Sequence, residues 1–243
     1  VKLLNILSRE FSIRTRDKER GLLYTQTWTD GMTKFTNPVI TKSRGAGFTE
    51  ITVKPDFKFL EIEKFDEFHQ SEFMRMMAEV SMHTGLRVVV NDNPIDGVRY
   101  ANKTVFHIKK KRDYAKLYEG KSNREYIELG NENLFAIVYA SEEPKTVSFV
   151  NGVATRLGGK HVDAWTKTVF ANIRDLFVNA EHKKKVTPAK MREFFAVYVW
   201  AKTPNPKFDH QTKDCLASGK FKPDYDPDSL KKIKKWSVAS GIK

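Results

Sequence analysis

Lysine is the residue type whose placement in this chain most suggests chemistry. Basic runs occur at Lys109 to Arg112, at Lys183 to Lys185, and at Lys231, Lys232, Lys234 and Lys235. Adjacent cations of this kind neutralise phosphates and release counterions, giving salt-sensitive and sequence-blind affinity for a polyanion, most commonly nucleic acid. The rest of the reactive inventory is thin. The six histidines are scattered without ligand spacing, and there is no G-x-S-x-G, no full Walker A and no pair of carboxylates placed for acid and base work. Cys215 is the single cysteine, so it forms neither an internal disulfide nor a Cys-based zinc site, which fits a reducing, intracellular compartment. On residue types alone this is a basic protein that meets a polyanion.

The charge is unevenly spread. The formal net charge of +13 divides into +1 for residues 1–100 and +12 for residues 101–243. The 243 residues suit one large domain or two ordinary ones, and 40% apolar content supplies a core, so disorder is not expected. No run approaches the roughly 20 apolar residues that span a bilayer, and no membrane partner is expected. The chain opens on Val1, inside an amphipathic pattern without signal-peptide chemistry, which reads as a fragment of a longer chain.

The elements that must position these residues follow from periodicity. Residues 2–8 read as a short helix. From 11 to 56, alternating runs (FSIRTR, LLYTQTW, PVITKS, FTEITVKPDF) punctuated by Gly21, Asp30-Gly31 and Gly45 to Gly47 read as an antiparallel meander. Phe65 to His83 reads as a helix whose stripe of Phe73, Met76, Met77 and Val80 is expected in the core. LRVVVND reads as a strand. Further on, YIELGNENLFAIVYA and TVSFVNG read as hairpin strands. A long helix then buries Val162, Trp165, Val169, Phe170, Ile173 and Phe177, a short helix starts near Pro188, and FFAVYVWA is a strand. Strand, helix, strand in that order requires a crossover connection, so this half is α/β. A last helix carries Lys231 to Lys235. His161, at a helix start, reads as a structural histidine; Trp165, Trp200, Phe194 and Phe195 read as core.

Five stretches carry a resemblance. SFVNGVATRLGGKHVDAW (148–165), a strand running through a Gly-Gly turn into a helix, resembles the transducer domain of type IIA DNA topoisomerases. WAKTPNPKFDHQTKDCL (200–216) carries that family's N-P-x-F-x-x-Q-T-K pattern. Upstream, KLLNILSREF, YTQTWTDGM and FTEITVKPDF match in order the C-terminal half of a GHKL ATPase domain. The resemblance covers nearly the whole chain and is nearest the eukaryotic and tailed-phage branch. It implies an α/β (α+β) chain: the C-terminal half of a GHKL (Bergerat) ATPase sandwich over residues 1–100, then a ribosomal-protein-S5-domain-2-like transducer domain over residues 101–243.

Residue roles carry over only where motifs match. Lys213 matches the transducer lysine that reaches the γ-phosphate of ATP, the catalytic role, with Gln211 and Thr212 beside it; charge building on the equatorial oxygens during phosphoryl transfer is what a compact ammonium stabilises. Lys2 matches the lysine closing the family's glycine-rich ATP lid, and Thr49 the threonine that helps bind adenine. Lys183, Lys184 and Lys185 match a lysine-rich transducer loop that touches DNA. The resemblance gives this chain no metal ligand: the Mg²⁺-binding residue, the general base and the adenine-binding acid are expected upstream of Lys2, so the fragment alone is expected to be inactive. Its first hundred residues are expected to present an open sheet face and edge.

The implied partners are ATP with Mg²⁺, double-stranded DNA, a second copy through the N-gate, and, where cleavage is not on the same polypeptide, a separate DNA-cleaving subunit. The implied location is intracellular: the host cytoplasm for a phage protein, the nucleus for a eukaryotic one. Two alternatives stay open. One is another GHKL ATPase of the mismatch-repair type; the other is a nucleotide-independent nucleic-acid-binding module on the same fold.

Overall fold

A computed structural model describes residues 1–90, 104–179, 181–182 and 185–242. The chain divides into two compact units, Val1–Phe73 and Met74–Lys243. The boundary expected at residue 100 lies outside the described residues, as does the Asn/Asp/Pro turn after the LRVVVND strand.

In the first unit a short helix α1 (Lys2–Ile6) precedes a meander of β1 (Ser8–Asp17), β2 (Leu22–Thr29), β3 (Lys34–Phe35), β4 (Val39–Lys42) and β5 (Phe48–Pro55). β1 lies between β2 and β5, antiparallel to both, while β3 and β4 share the far edge of β2. Alternating apolar residues and turn residues select this arrangement. Phe11, only 1% exposed, sets its ring edge against Trp28 at 5.9 Å across the ladder. The expected open face is present: Phe35, Val39, Ile40 and Ile51 are all exposed. Val39 and Ile40 are neighbours on one strand and so point to opposite faces, leaving both faces of that edge without apolar cover.

Helix α2 (Glu67–Thr84) contains the division between the units, and here the structure corrects the sequence reading. Phe73, Met76 and Val80 are exposed rather than core. The buried positions are Ala78 and Ser81. Ser81 Oγ donates to the Leu86 carbonyl at 2.8 Å and accepts from the Ile108 amide at 3.0 Å, so a small polar residue, satisfied by backbone groups, lets the helix approach closely. Helical period reveals that an apolar stripe exists. It does not reveal what covers it.

The second unit begins its strands with β6 (Val88–Val90), paired with β7 (Thr104–Phe106), followed by α3 (Lys111–Glu119). The helix α3 was not anticipated; only Tyr114 and Ala115 are buried on it, too few to mark a period. Then come β8 (Tyr126–Gly130), β9 (Leu134–Ala140), β10 (Lys145–Val150), β11 (Val153–Ala154), β12 (Gly158–Gly159), α4 (Lys160–Phe177), α5 (Pro188–Arg192), β13 (Phe195–Ala201) and β14 (Cys215–Leu216). A 3-10 helix (Pro227–Lys235) stands where the last helix was expected, and α6 (Ala239–Ile242) follows. In the 3-10 helix Leu230 and Ile233 are buried while Lys231, Lys232, Lys234 and Lys235 face solvent.

The main sheet has the order β11-β10-β13-β9-β8. β10 and β13 run parallel, with α4 and α5 in the connection between them, as the strand-helix-strand order requires. Every residue of β13 is buried, the continuous apolar run of a strand covered on both faces. One face packs against Val162, Trp165, Val169, Phe170 and Ile173 of α4. The other, through Ile137, Tyr139, Tyr198 and Trp200, packs against Ala78, Ile108, Tyr114 and Ala115. Each large side chain buried this way contributes roughly 1.5–3 kcal/mol. No helix among the described residues is long and apolar enough to cross a membrane.

Candidate functional site

The Gly-Gly turn and the Gln-Thr-Lys segment, distant in sequence, form one structure. From Lys207 to Ser218 the chain folds back on itself. The Lys207 carbonyl accepts from the Ala217 amide at 2.9 Å, the Asp209 amide donates to the Cys215 carbonyl at 3.2 Å, and Phe208 bridges Leu216. At the tip, the Lys213 amide donates to the His210 carbonyl at 3.0 Å, and Lys213 itself takes a left-handed conformation, φ 61°. Gln211, Thr212 and Lys213 are all exposed. Lys213 Nζ lies 6.0 Å from the Phe208 ring centroid, and no carboxylate among the described residues stands within ion-pair distance of it.

The base of this hairpin is clamped to the start of α4. Gly158 pairs with Cys215 and Gly159 with Leu216 in a short parallel ladder, and the Leu157 amide donates to the Asp214 carbonyl at 2.9 Å. Gly159 is the residue before the helix, at φ 121°, and its Cα faces the Leu216 backbone. A second clasp was not anticipated. Asn151, in the turn after β10, donates from Nδ2 to the Thr203 carbonyl at 2.8 Å and accepts the Thr203 amide on Oδ1 at 3.0 Å, fixing the stretch that leads into the hairpin. The sequence reading placed Asn151 only at the end of the TVSFVNG strand and gave no sign of its partner.

Behind the clamp His161 is fully buried and keeps the structural role expected of it. Ser148 Oγ donates to the Thr155 carbonyl at 2.8 Å, so it takes the Thr155 hydroxyl proton at 2.6 Å, and Thr155 Oγ1 is left to accept from His161 Nε2 at 3.3 Å. The imidazole is thereby a neutral Nε2–H tautomer whose Nδ1 has no partner. Burial pushes its pKa down to about 4. The unfolded chain therefore binds the proton first, and stability is lost as pH falls from about 6.5 towards 4. Denaturant titrations at pH 7 and pH 5 should differ by about 2 kcal/mol through this group, and His161→Gln should shrink that difference; an unchanged difference would show that His161 does not carry it.

The remaining expected site residues divide as follows. Lys2 is exposed on α1 and Thr49 exposed on β5, both in the first unit. Thr49 stands opposite Thr15 in the ladder, their hydroxyls 2.9 Å apart; Thr15 donates to the Phe48 carbonyl at 3.0 Å, so Thr49 donates to Thr15 and keeps free lone pairs. Lys185 is exposed in the turn before α5, its amide bonded to the His182 carbonyl at 2.9 Å. Lys183 and Lys184 lie outside the described residues. No group of three or more His, Cys, Asp or Glu among the described residues could hold a metal ion.

Known proteins share this architecture. The DNA gyrase B family model matches residues 92–233. DNA topoisomerase 2 of Invertebrate iridescent virus 6 is 31% identical over 255 residues, covering 100% of this chain and 21% of the viral protein. DNA topoisomerase 2 of Arabidopsis thaliana is 29% identical, covering 99% and 17%. The chain thus spans about a fifth of the length of these relatives. Among solved structures, the ATPase and transducer domains of DNA topoisomerase II from Balamuthia mandrillaris superpose with a TM-score of 0.71 at 28% identity, covering 96% of this chain and 60% of that one. The ATPase region of Saccharomyces cerevisiae topoisomerase II gives 0.77 at 24% identity, covering 99% and 62%, a likeness of fold. The hairpin, its clamp on Gly158 and Gly159 and the crossover helix all fall within the matched residues, and the chain belongs to the DNA gyrase B family.

Proposed function

We propose that this chain is part of an ATP-dependent type II DNA topoisomerase, an isomerase that passes one duplex through a transient break in another, and that its part is to couple bound ATP to domain motion. The observation that carries this reading is the clamp. Lys213 is three residues from Leu216, which is laddered to Gly159, which opens α4. A force on the lysine tip is thereby passed through backbone hydrogen bonds to a helix of 18 residues, a rod of about 27 Å.

On this reading the Lys213 ammonium meets the γ-phosphate, with Gln211 and Thr212 beside it. Lys2 contacts phosphate and Thr49 offers its free lone pairs towards the adenine edge. Because the tip contacts nucleotide only in one nucleotide state, that differential contact biases the position of α4. The division of residues 1–100 as an ATPase half and 101–243 as a transducer belongs to the same reading. So do a homodimer, a DNA-cleaving activity on this or a separate polypeptide, and an intracellular location. ATP use in the family brings with it an expectation of Mg²⁺, for which the described residues supply no ligand set.

The far end of α4 leads to Lys183, Lys184 and Lys185, which on this reading contact duplex backbone. The test is ATP-dependent relaxation of supercoiled plasmid by the full-length protein; a plasmid left unchanged with ATP and magnesium present rejects the reading. Replacing the three lysines with Ala should weaken duplex binding and flatten the slope of log K against log salt by up to about 2.7, at about 0.9 for each phosphate no longer neutralised. An unchanged slope would make the loop a solubilising one.

A further inference from the structure

The second unit contains a cavity of about 510 Å³ that no expected site residue lines. It opens beside the ends of β10 and β13, and its walls include His83, Lys111, Asn133, Phe149, Trp200 and Lys202. Among the described residues its charge is one-sided: two lysines line it and no described aspartate or glutamate does. The adjoining cavity of about 320 Å³ makes the contrast, since there Lys110, Lys111 and Arg112 face Glu128 and Glu132, and Arg112 pairs with Glu128 at 3.3 Å.

Lys111 is half-buried over aromatic faces, its Nζ 4.8 Å from the Phe135 centroid and 5.5 Å from that of Trp200, itself stacked on Phe149. No carboxylate among the described residues pairs with Lys111 or Lys202. Desolvation, and then the charge of Lys202, hold the Lys111 pKa below its usual value. Desolvation of the ring, then the Lys111 charge, hold His83 down as well. The charged form of Lys111 is disfavoured by burial and by the Lys202 charge, and an anion in the cavity offsets both causes. A concavity with no carboxylate among its described wall residues, two ammonium groups without a described carboxylate partner and a partly desolvated floor are what a phosphoryl group needs, because Coulomb attraction strengthens as water is excluded.

We propose that this cavity binds a phosphoryl group through Lys111 and Lys202, presented either by a small phosphate ligand or by the backbone of duplex DNA. The site is separate from the nucleotide-contacting tip at Lys213 and does not depend on that reading. Two wall residues, Asn151 and Thr203, form the second clasp described above, so the ligand would sit against the base of the coupling hairpin.

The test uses the full-length protein with Lys111→Met, which keeps the aliphatic contact with the rings, and Lys202→Met at the exposed position. Titration with inorganic pyrophosphate and, separately, with a 20-bp duplex should show affinity about tenfold lower in each variant for at least one of the two, and Lys111→Arg should restore it. Weaker pyrophosphate binding assigns a small ligand; weaker duplex binding alone, with the salt slope reduced by about 0.9 per lysine, assigns the DNA backbone. Lys231→Met, whose lysine pairs with Asp228, should change neither. If both titrations match the wild type in both variants, the proposal is overturned; should Lys111→Met fail to fold, Lys202→Met alone decides it. The nucleotide-site residues are intact throughout, so failure of ATP-dependent relaxation with pyrophosphate binding retained would count against the topoisomerase reading alone.

Discussion

Replacing Lys213 by Ala in the full-length protein is expected to lower kcat for ATP hydrolysis by about 10²–10³-fold, equivalent to roughly 3–4 kcal/mol of transition-state stabilisation, with strand passage falling in parallel. The size follows from what the side chain is free to do. Lys213 is exposed, has no carboxylate partner among the described residues, and sits at the tip of a hairpin whose base is hydrogen-bonded on both sides. Its Cα is therefore held in place by backbone and its ammonium is left for a ligand. Ala retains a Cβ at the same left-handed φ of 61°, so backbone strain is unchanged and the thermal midpoint should match the wild type. The separation of kcat from KM is informative here, because an interaction made mainly as charge develops on the transferring phosphoryl group lowers kcat with little change in KM. Unimpaired hydrolysis and strand passage would remove Lys213 from the mechanism.

How far the sequence revealed this arrangement depends on the range of the interactions involved. Local signals read correctly: the alternation in residues 11–56 became the meander, and the uninterrupted FFAVYVWA run became the central buried strand β13. The helical period at Val162, Trp165, Val169, Phe170 and Ile173 found the buried face of α4. Where the outcome depended on a distant partner, the sequence did not disclose it. The Phe73, Met76 and Val80 stripe is as periodic as that of α4, yet the small face at Ala78 and Ser81 is the one that packs. The Gln-Thr-Lys motif was visible, but its ladder to Gly158 and Gly159 was not, nor the Asn151 clasp, since each joins segments 50 or so residues apart. The cavity lined by Lys111 and Lys202 was invisible for the same reason. Lys111 belongs to a run of four cations in sequence, and only the fold shows that it alone of the four also lines the cavity with Lys202, whereas Arg112 pairs with Glu128.

The clamp itself predicts a sharp asymmetry between two adjacent glycines. A Cβ on Gly159 would lie 2.4 Å from the Leu216 carbonyl oxygen and 2.5 Å from its amide nitrogen, both backbone atoms that no rotamer change can move, at a φ of 121° that L residues rarely adopt. A Cβ on Gly158 would meet only Val162, with Cγ2 nearest at 3.5 Å, an ordinary contact, leaving the left-handed φ of 76° as the sole penalty. Gly158→Ala should therefore cost about 1 kcal/mol, whereas Gly159→Ala adds a backbone collision to the strain and should cost on the order of 3 kcal/mol or more. The hairpin has a cheaper escape than global unfolding, because breaking a two-residue ladder lets residues 207–218 swing away from α4. In that case the destabilisation shows as faster amide exchange and proteolysis in that stretch while the sheet core stays protected. Either route uncouples the lysine tip from the helix, so Gly159→Ala should reproduce the hydrolysis defect of Lys213→Ala with an intact lysine. Hairpin exchange and hydrolysis in Gly159→Ala that match Gly158→Ala would show that the ladder does not transmit the force.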